Sequence, residues 1–126
     1  MKVLNVIETA YRATLEEQDD PVVWISHAMK GAGAELDVLL RANAVNYAVK
    51  AQVVQPLAFG DRKQSHSPQL ADDISALIDK AVEVYVVEQD LSNRGVQSEE
   101  LIAGLTPLPF DQLPALFKRY DQVWHW

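Results

Sequence analysis

The sequence predicts a three-layer α/β/α fold built on a mostly parallel sheet of about five strands. Short runs rich in β-branched residues alternate with segments of helical periodicity, which is the pattern of strands joined by crossover helices. The clearest run, residues 82–88 (VEVYVVE), is followed abruptly by polar and glycine-containing sequence, as expected for a buried parallel strand, and we expect it to be the central strand of the sheet. The 126 residues contain no repeat or linker, so we expect a single domain over residues 1–126.

The chain is expected to begin with a strand and a helix. Residues 2–7 (KVLNVI) form a short apolar run with β-branched members, which predicts the first strand. A polar connection follows over residues 9–18. Asp19 or Asp20 can then cap a helix that has Pro21 in its first turn, and the GAG sequence ends this helix.

The middle of the chain is expected to hold a second strand, a long loop and a second helix. Residues 34–40 (AELDVLL) predict the strand, and residues 45–51 predict a short helix after it. Residues 52–67 lose periodicity and predict a loop, and loops of this length are often functional. Ser67 and Pro68 are a helix-start signal. The apolar stripe of this helix is Leu70, Ile74, Leu77, Ile78 and Ala81.

The C-terminal third is expected to add short elements around the sheet. Residues 98–102 predict a helical turn, and residues 104–108 predict a short strand interrupted by a proline. Asp111 can begin a last helix whose apolar side ends at Tyr120. Residues 121–126 (DQVWHW) alternate polar and bulky side chains, which predicts a final strand.

The composition excludes several classes of function. A net charge of −7 without a cluster of lysines and arginines argues against nucleic-acid binding. No segment approaches the roughly 18 consecutive apolar residues of a membrane helix. The N-terminal apolar run is too short for a secretion signal, so we expect a cytoplasmic protein that does not bind membranes. The absence of cysteine excludes disulfides, thiolate metal sites and thiol nucleophiles.

Polar side chains follow the predicted ends of three strands and form the candidate ligand-binding set. Its members are Glu8, Arg41, Asn43, Glu88, Gln89 and Asp90. Because parallel strands end on the same edge of a sheet, we expect these side chains to converge. Arg41 could bind a small anionic ligand bidentately, and the carboxylates could perform acid–base chemistry if burial separated their pKa values. The alternative is that Glu8 and Glu88 cap helices or join Arg41 in an ion network.

His66 completes the candidate set, because it lies in the predicted loop and could close over this pocket as a proton donor or anion contact. The alternative is a solvated loop histidine. His27 and His125 lack the spacing of a metal motif, so no metal site is expected. Ser92 is not part of a nucleophile elbow, and the glycines form no phosphate-binding loop. No cofactor is therefore expected.

Four segments in order resemble the DsrE/DsrF-like family of sulfur-relay proteins: KVLNVIE, GAGAELDVLLRANAV, VEVYVVEQDLSNRGV and YDQVWHW. The resemblance implies a compact α/β/α fold and assembly into dimers, trimers or hexamers, sometimes with related subunits. It also implies a cysteine that carries sulfur as a persulfide at the end of the strand predicted over residues 82–88. Val87 stands at that position, and a valine side chain cannot form a persulfide.

These observations predict an accessory or binding protein linked to sulfur metabolism that cannot carry a cysteine persulfide. It is expected to be a homo-oligomer or to assemble with related family subunits. One alternative is a small enzyme acting on an anionic small molecule at a pocket formed by Glu8, Arg41 and Glu88. Another is a structural subunit of a hetero-oligomer. Trp124 and Trp126 at the chain end fit a subunit interface, and packing beneath the last helix is an equal alternative.

Overall fold

The computed structural model describes residues 1–11 and 20–126, which contain a five-stranded parallel sheet with helices on both faces. In these two ranges the strands are β1 (Lys2–Ile7), β2 (Glu35–Leu40), β3 (Ala58–Phe59), β4 (Arg62–Lys63), β5 (Val84–Val87), β6 (Thr106–Leu108) and β7 (Gln122–His125). The α-helices are α1 (Pro21–Gly31), α2 (Leu70–Asp79), α3 (Glu88–Asn93) and α4 (Leu113–Phe117). The main sheet has the order β6-β5-β2-β1-β7, and each neighbouring pair is parallel. β3 and β4 form a separate antiparallel hairpin.

Alternating side chains along β1 show how the sheet builds two cores. Val3 and Ile7 belong to the core packed under α1 and α2, whereas Leu4 and Val6 belong to the core packed under α4. The first core is the larger, and it includes side chains of the 3₁₀ segment Ala42–Ala48. Helices therefore cover both faces of the sheet, and the predicted three-layer α/β/α fold is confirmed.

A buried carboxylate ties several elements together towards the amino edge of the sheet. Asp37, in β2, is only 6% exposed. Its Oδ2 accepts a hydrogen bond from the Tyr120 hydroxyl at 2.6 Å and lies 3.0 Å from Nζ of Lys2, and its Oδ1 accepts from the N–H of Glu83 at 2.9 Å. Burial, together with the hydrogen bond to Asp37, raises the pKa of Tyr120 above its ordinary value. Asp37 thus fixes the chain after α4 against β1 and β2.

A second buried carboxylate organises the start of α1. Oδ1 of Asp20 caps the helix by accepting from the N–H groups of Val22 at 2.8 Å and Val23 at 3.3 Å. Oδ2 of Asp20 accepts from the Tyr47 hydroxyl at 2.7 Å, and this hydroxyl accepts from the N–H of Tyr11. Burial and the bond to Asp20 raise the pKa of Tyr47. Tyr47 therefore links the chain that follows β1 to the start of α1.

The first part of the chain agrees closely with the sequence prediction. β1 has the predicted bounds, and β2 begins at Glu35, one residue later than predicted. Asp20 is the residue that caps α1. Asp19, and all of the predicted connection over residues 9–18 beyond Tyr11, lie outside the described residues.

The strand predicted over residues 82–88 is shorter in the structure and does not lie at the centre of the sheet. β5 ends at Val87, and Glu88 is the first residue of α3, where it and Asp90 place acidic groups in the first helical turn. Negative charge in that position is favourable to a helix, which explains why the chain leaves the strand there. β2 is the middle strand, and β5 lies between β2 and β6.

Three further predictions were wrong in detail. The short helix predicted over residues 45–51 is the 3₁₀ segment Ala42–Ala48, and the predicted loop 52–67 contains the β3–β4 hairpin. α2 begins two residues after the predicted Ser-Pro start, with Gln69 at its N-cap. The side chain of Gln69 makes no capping hydrogen bond, so the apolar stripe and not a cap decides where the helix begins.

The C-terminal elements lie within their predicted ranges, but they are shorter. These are the 3₁₀ segment Ser98–Glu100, β6, α4 and β7. The 3₁₀ segment Phe110–Gln112 precedes α4 and begins one residue before the predicted start at Asp111. Short helices characterise the described part of the chain, and none there is long and apolar enough to cross a membrane.

We expect Tyr47→Phe to lower the free energy of unfolding by about 1–2 kcal/mol, because the buried oxygens of Asp20 lose a donor and the N–H of Tyr11 loses an acceptor. Urea unfolding followed by circular dichroism measures the change. Tyr11→Phe is the matched control, since its hydroxyl donates to Gln52 at an exposed position and its loss should cost less. Equal losses in the two variants would show that the link between Tyr47 and Asp20 contributes little.

Candidate functional site

The carboxyl edge of the sheet gathers the polar residues that follow its strands. β1, β2 and β5 are adjacent and parallel, so Glu8, Arg41 and Glu88 follow strand ends on the same edge. β7 ends there too, because it runs parallel to β1 with His125 beside Val6. Open α/β sheets place their ligands at this edge, which makes it the candidate site.

Glu8 is the centre of a small charged cluster at this edge. Its Oε1 lies 3.5 Å from Nε of Arg41 and 3.2 Å from Nε2 of His125. The side chain of Arg41 is 24% exposed, whereas those of Glu8 and His125 are 42% and 55% exposed. Water screens pairs of this kind, so each contributes at most about 1 kcal/mol to stability. The cluster resembles the ion network that the sequence offers as the alternative to catalysis.

A left-handed backbone at Ala42 shapes the chain beside Arg41. Ala42 has φ of +50°, a conformation that costs an L-residue other than glycine roughly 1–2 kcal/mol. Its N–H donates to Oδ2 of Asp90 at 2.7 Å, which joins the end of β2 to α3. Oδ1 of the neighbouring Asn43 accepts from Nη2 of Arg94 at 2.8 Å. The side chains of Asp90 and Asn43 therefore hold the backbone that carries Arg41.

A cleft of about 280 Å³ lies beside Arg41 on the α4 side of the edge, and we call it the Arg41 cleft. Its lining residues are Arg41, Phe110, Asp111, Leu113, Pro114 and Phe117. Oε1 of Gln89 accepts from the N–H of Phe110 at 2.7 Å, so one wall of the cleft is anchored to α3. The lining is mostly apolar and carries a single cation.

A second cleft, of about 290 Å³, lies along α3, and we call it the Glu88 cleft. Its lining residues are Glu88, Leu91, Ser92, Val96, Ser98, Leu101 and Pro107. Arg41 and Glu88 thus follow neighbouring strands yet line different clefts. His66 is exposed in the segment between β4 and α2 and lines neither of the two.

Val87 is part of the core on the α4 face. It is 0% exposed and packs in the same cluster as Leu4, Leu39 and Leu113. It is also the last residue of β5, and the next residue, Glu88, is exposed and lines the Glu88 cleft. The position where the resemblance implies a persulfide is therefore apolar and closed to solvent.

The histidines lie in different parts of the structure. On α1, Nε2 of His27 is 2.8 Å from the carbonyl oxygen of Asp73, and Nδ1 is 3.0 Å from Nζ of Lys80. His66 precedes α2, and His125 belongs to β7. Within residues 1–11 and 20–126, no three His, Asp or Glu side chains are grouped as ligands of a metal ion.

Sequence reasoning missed the apolar walls of the Arg41 cleft and the contact between His125 and Glu8. The helical spacing assigns Leu113 and Phe117 to one apolar side of the last helix, and no sequence pattern separates a cleft wall from a core stripe. The contact of His125 depends on the register of β7 against β1, which neither segment specifies alone.

Comparisons with known proteins agree with this architecture. A sequence model of the DsrE/DsrF-like family matches residues 1–125. The crystal structure of the YchN protein from E. coli is similar with a TM-score of 0.76 and 16% identity, over 99% of this chain and 98% of that one. MTH1491 from Methanobacterium thermoautotrophicum, a protein of unknown function, has a TM-score of 0.63 and 12% identity, over 96% of both chains. No curated protein matches this sequence.

We expect a thiol introduced by Val87→Cys to react with a thiol reagent at least about tenfold more slowly than one introduced by Ser92→Cys, because a buried thiol reacts only after the structure opens. Ser92 is exposed and lines the Glu88 cleft, which makes it the matched position. Stopped-flow reaction with a chromogenic disulfide, in native buffer and again in urea, measures both rates. Equal native rates would contradict the burial of this position.

Proposed function

Because this chain belongs to the DsrE/DsrF-like family, we propose that it is an accessory or binding protein linked to sulfur metabolism that works without a cysteine persulfide. The observation that carries the proposal is Val87, which occupies the position of the expected sulfur carrier and is 0% exposed. The chain also has no cysteine elsewhere. A persulfide requires a thiolate sulfur, so the chemistry implied by the resemblance has no acceptor here.

The proposed binding surface is the carboxyl edge, where the candidate residues divide into two roles. Asn43, Gln89 and Asp90 use side-chain oxygens to hold neighbouring chain in place. Arg41 and Glu88 line clefts and are proposed to contact ligands. Glu8 is proposed to supply charge near the site through its contact with Arg41. His66, in the segment before α2, stays a proposed proton donor or anion contact.

The enzyme alternative has less support. It requires Glu8 and Glu88 to act on one substrate, whereas Glu8 contacts Arg41 and His125 and Glu88 lines the cleft on α3. An exposed carboxylate between two basic groups is frequent at the ends of strands without chemistry. Binding without catalysis accounts for the same residues more simply.

We further propose that the protein is cytoplasmic and assembles, either with copies of itself or with related family subunits. The C-terminal strand supports the proposed assembly. Trp124 packs against the core under α1 and α2, whereas Trp126 is 43% exposed although its backbone pairs with Val6 and Glu8. β7 is an edge strand, and Val123 on it is 37% exposed. An exposed indole held on a fixed backbone is a suitable anchor for a protein partner.

The first test is incubation with a persulfide donor followed by intact-mass measurement. We expect no stable addition of sulfur to this chain, because it has no thiolate to accept it. A cysteine-bearing member of the family, treated in parallel, is the positive control for the donor. A reproducible adduct that maps to one side chain would falsify the proposal.

The second test concerns assembly. We expect Trp126→Ala to shift sedimentation-velocity profiles towards smaller species, because a large apolar contact at the proposed interface is lost. Trp24→Ala is the matched control: it removes the same ring from a site that is 60% exposed on α1, and it should leave the mass unchanged. An unchanged mass with a large fall in thermal stability would assign Trp126 to the core instead. Native mass spectrometry of protein from its own host would then identify related subunits.

A further inference from the structure

The Arg41 cleft has the two features of a site for a small amphipathic ligand. Its apolar lining consists of Phe110, Pro114, Phe117 and the buried Leu113. Arg41 supplies a cation to the same lining. Small-molecule sites typically combine apolar walls with one or a few placed polar groups, which is the composition found here.

Arg41 has donor capacity that the described residues leave unused. A guanidinium carries five N–H donors in a planar fork, and the contact of Arg41 with Glu8 is made through Nε at 3.5 Å. Among the described residues, no hydrogen bond from its two terminal nitrogens is formed. The side chain is 24% exposed, so these donors are partly withdrawn from water, and an acceptor supplied by a ligand would be favourable.

Both walls of the cleft are fixed before any ligand arrives. The N–H of Phe110 donates to Gln89, and the N–H of Ala42 donates to Asp90, so α3 holds the aromatic wall and the arginine wall together. Leu113, at the base, is 4% exposed and belongs to the core. Preorganised walls reduce the entropy cost of binding.

The charges around the cleft decide which ligand fits. Glu8 and His125 lie on the Nε side of Arg41, and the carboxylate of Asp111 is exposed in the lining. A dianion at Arg41 would lie near two carboxylates, that of Asp111 in the lining and that of Glu8 in contact with Arg41, and one guanidinium would have to balance both its charges. A single negative charge can pair with Arg41 while an apolar body covers Phe110 and Phe117.

From this geometry we propose that the Arg41 cleft binds a small monoanion, of the carboxylate class, that carries an apolar body. The inference rests on the proposed function in one respect, which is that this chain acts by binding. It goes further by placing the ligand between Arg41 and the phenylalanines of the α4 region and away from Glu88.

The test is a titration of the wild-type protein followed by ¹H–¹⁵N correlation NMR, with phenylacetate as the probe and neutral phenylacetamide as its isosteric control. We expect saturable shifts at Nε–H of Arg41 and the N–H of Phe110. We expect phenylacetate to bind at least about tenfold more tightly than phenylacetamide, because a charge-assisted bidentate bond is made only by the carboxylate.

Three variants and one control locate the contacts. Arg41→Gln should abolish the preference for phenylacetate, while Arg119→Gln, which removes the same charge from an exposed residue outside the cleft, should preserve it. Phe110→Ala should weaken both probes by similar factors. Asp111→Asn should tighten phenylacetate, because a repelling carboxylate is removed. The same spectra report whether each variant is folded.

Three results would overturn the inference: absence of saturable shifts in the wild type, equal binding of the two probes, or weaker phenylacetate binding by Asp111→Asn. The last result would assign the cleft to a zwitterion whose cationic group needs Asp111. These failures are separable from failure of the proposed function, because sulfur uptake is measured independently by intact mass. If the titration shows no binding and the intact mass shows no sulfur uptake, the proposed ligand class is rejected and the proposed function is not.

Discussion

The common direction of the five strands is the constraint on which the candidate site depends. Because every pair in the sheet is parallel, all strands end on one edge, and residues far apart in sequence meet there. Glu8 and Arg41 follow β1 and β2, and His125 lies in β7. Glu8 contacts both Arg41 and His125 only because these strands share that direction. An antiparallel β7 would carry His125 to the opposite edge and leave Glu8 with one basic partner.

Hydrogen bonds to carboxylates keep the strand ends in place. Asp37 holds the chain after α4 against β2 near the amino edge, through its hydrogen bond with Tyr120. Asp20 is hydrogen-bonded to Tyr47 in the same way at the start of α1. At the carboxyl edge, Asp90 holds Ala42 in its left-handed conformation. Burying an unpaired carboxylate costs free energy, so each of these hydrogen-bonded carboxylates strongly favours one arrangement of its partners. These hydrogen bonds consequently hold the backbone that lines the clefts in position.

The substitution of valine at the expected cysteine position changes more than reactivity. In this fold Val87 belongs to the core on the α4 face, and its apolar side chain packs where a thiolate would have to be desolvated. The neighbouring Glu88 faces the cleft along α3 instead. The polar groups described at this edge include carboxylates, amides, an imidazole and the guanidinium of Arg41, which are groups suited to reversible binding.

The sequence by itself determined the fold class, the five strands of the main sheet and the absence of a thiol. Runs such as KVLNVI carry their own β-branched and apolar pattern, and the absence of a thiol is a fact of composition. Tertiary structure decided that β2 is the central strand, that Arg41 and Glu88 line different clefts, and that Phe110 lines the same cleft as Arg41. Strand order and cleft walls arise from packing between segments distant in sequence, and local periodicity contains no information about which segment becomes the neighbour.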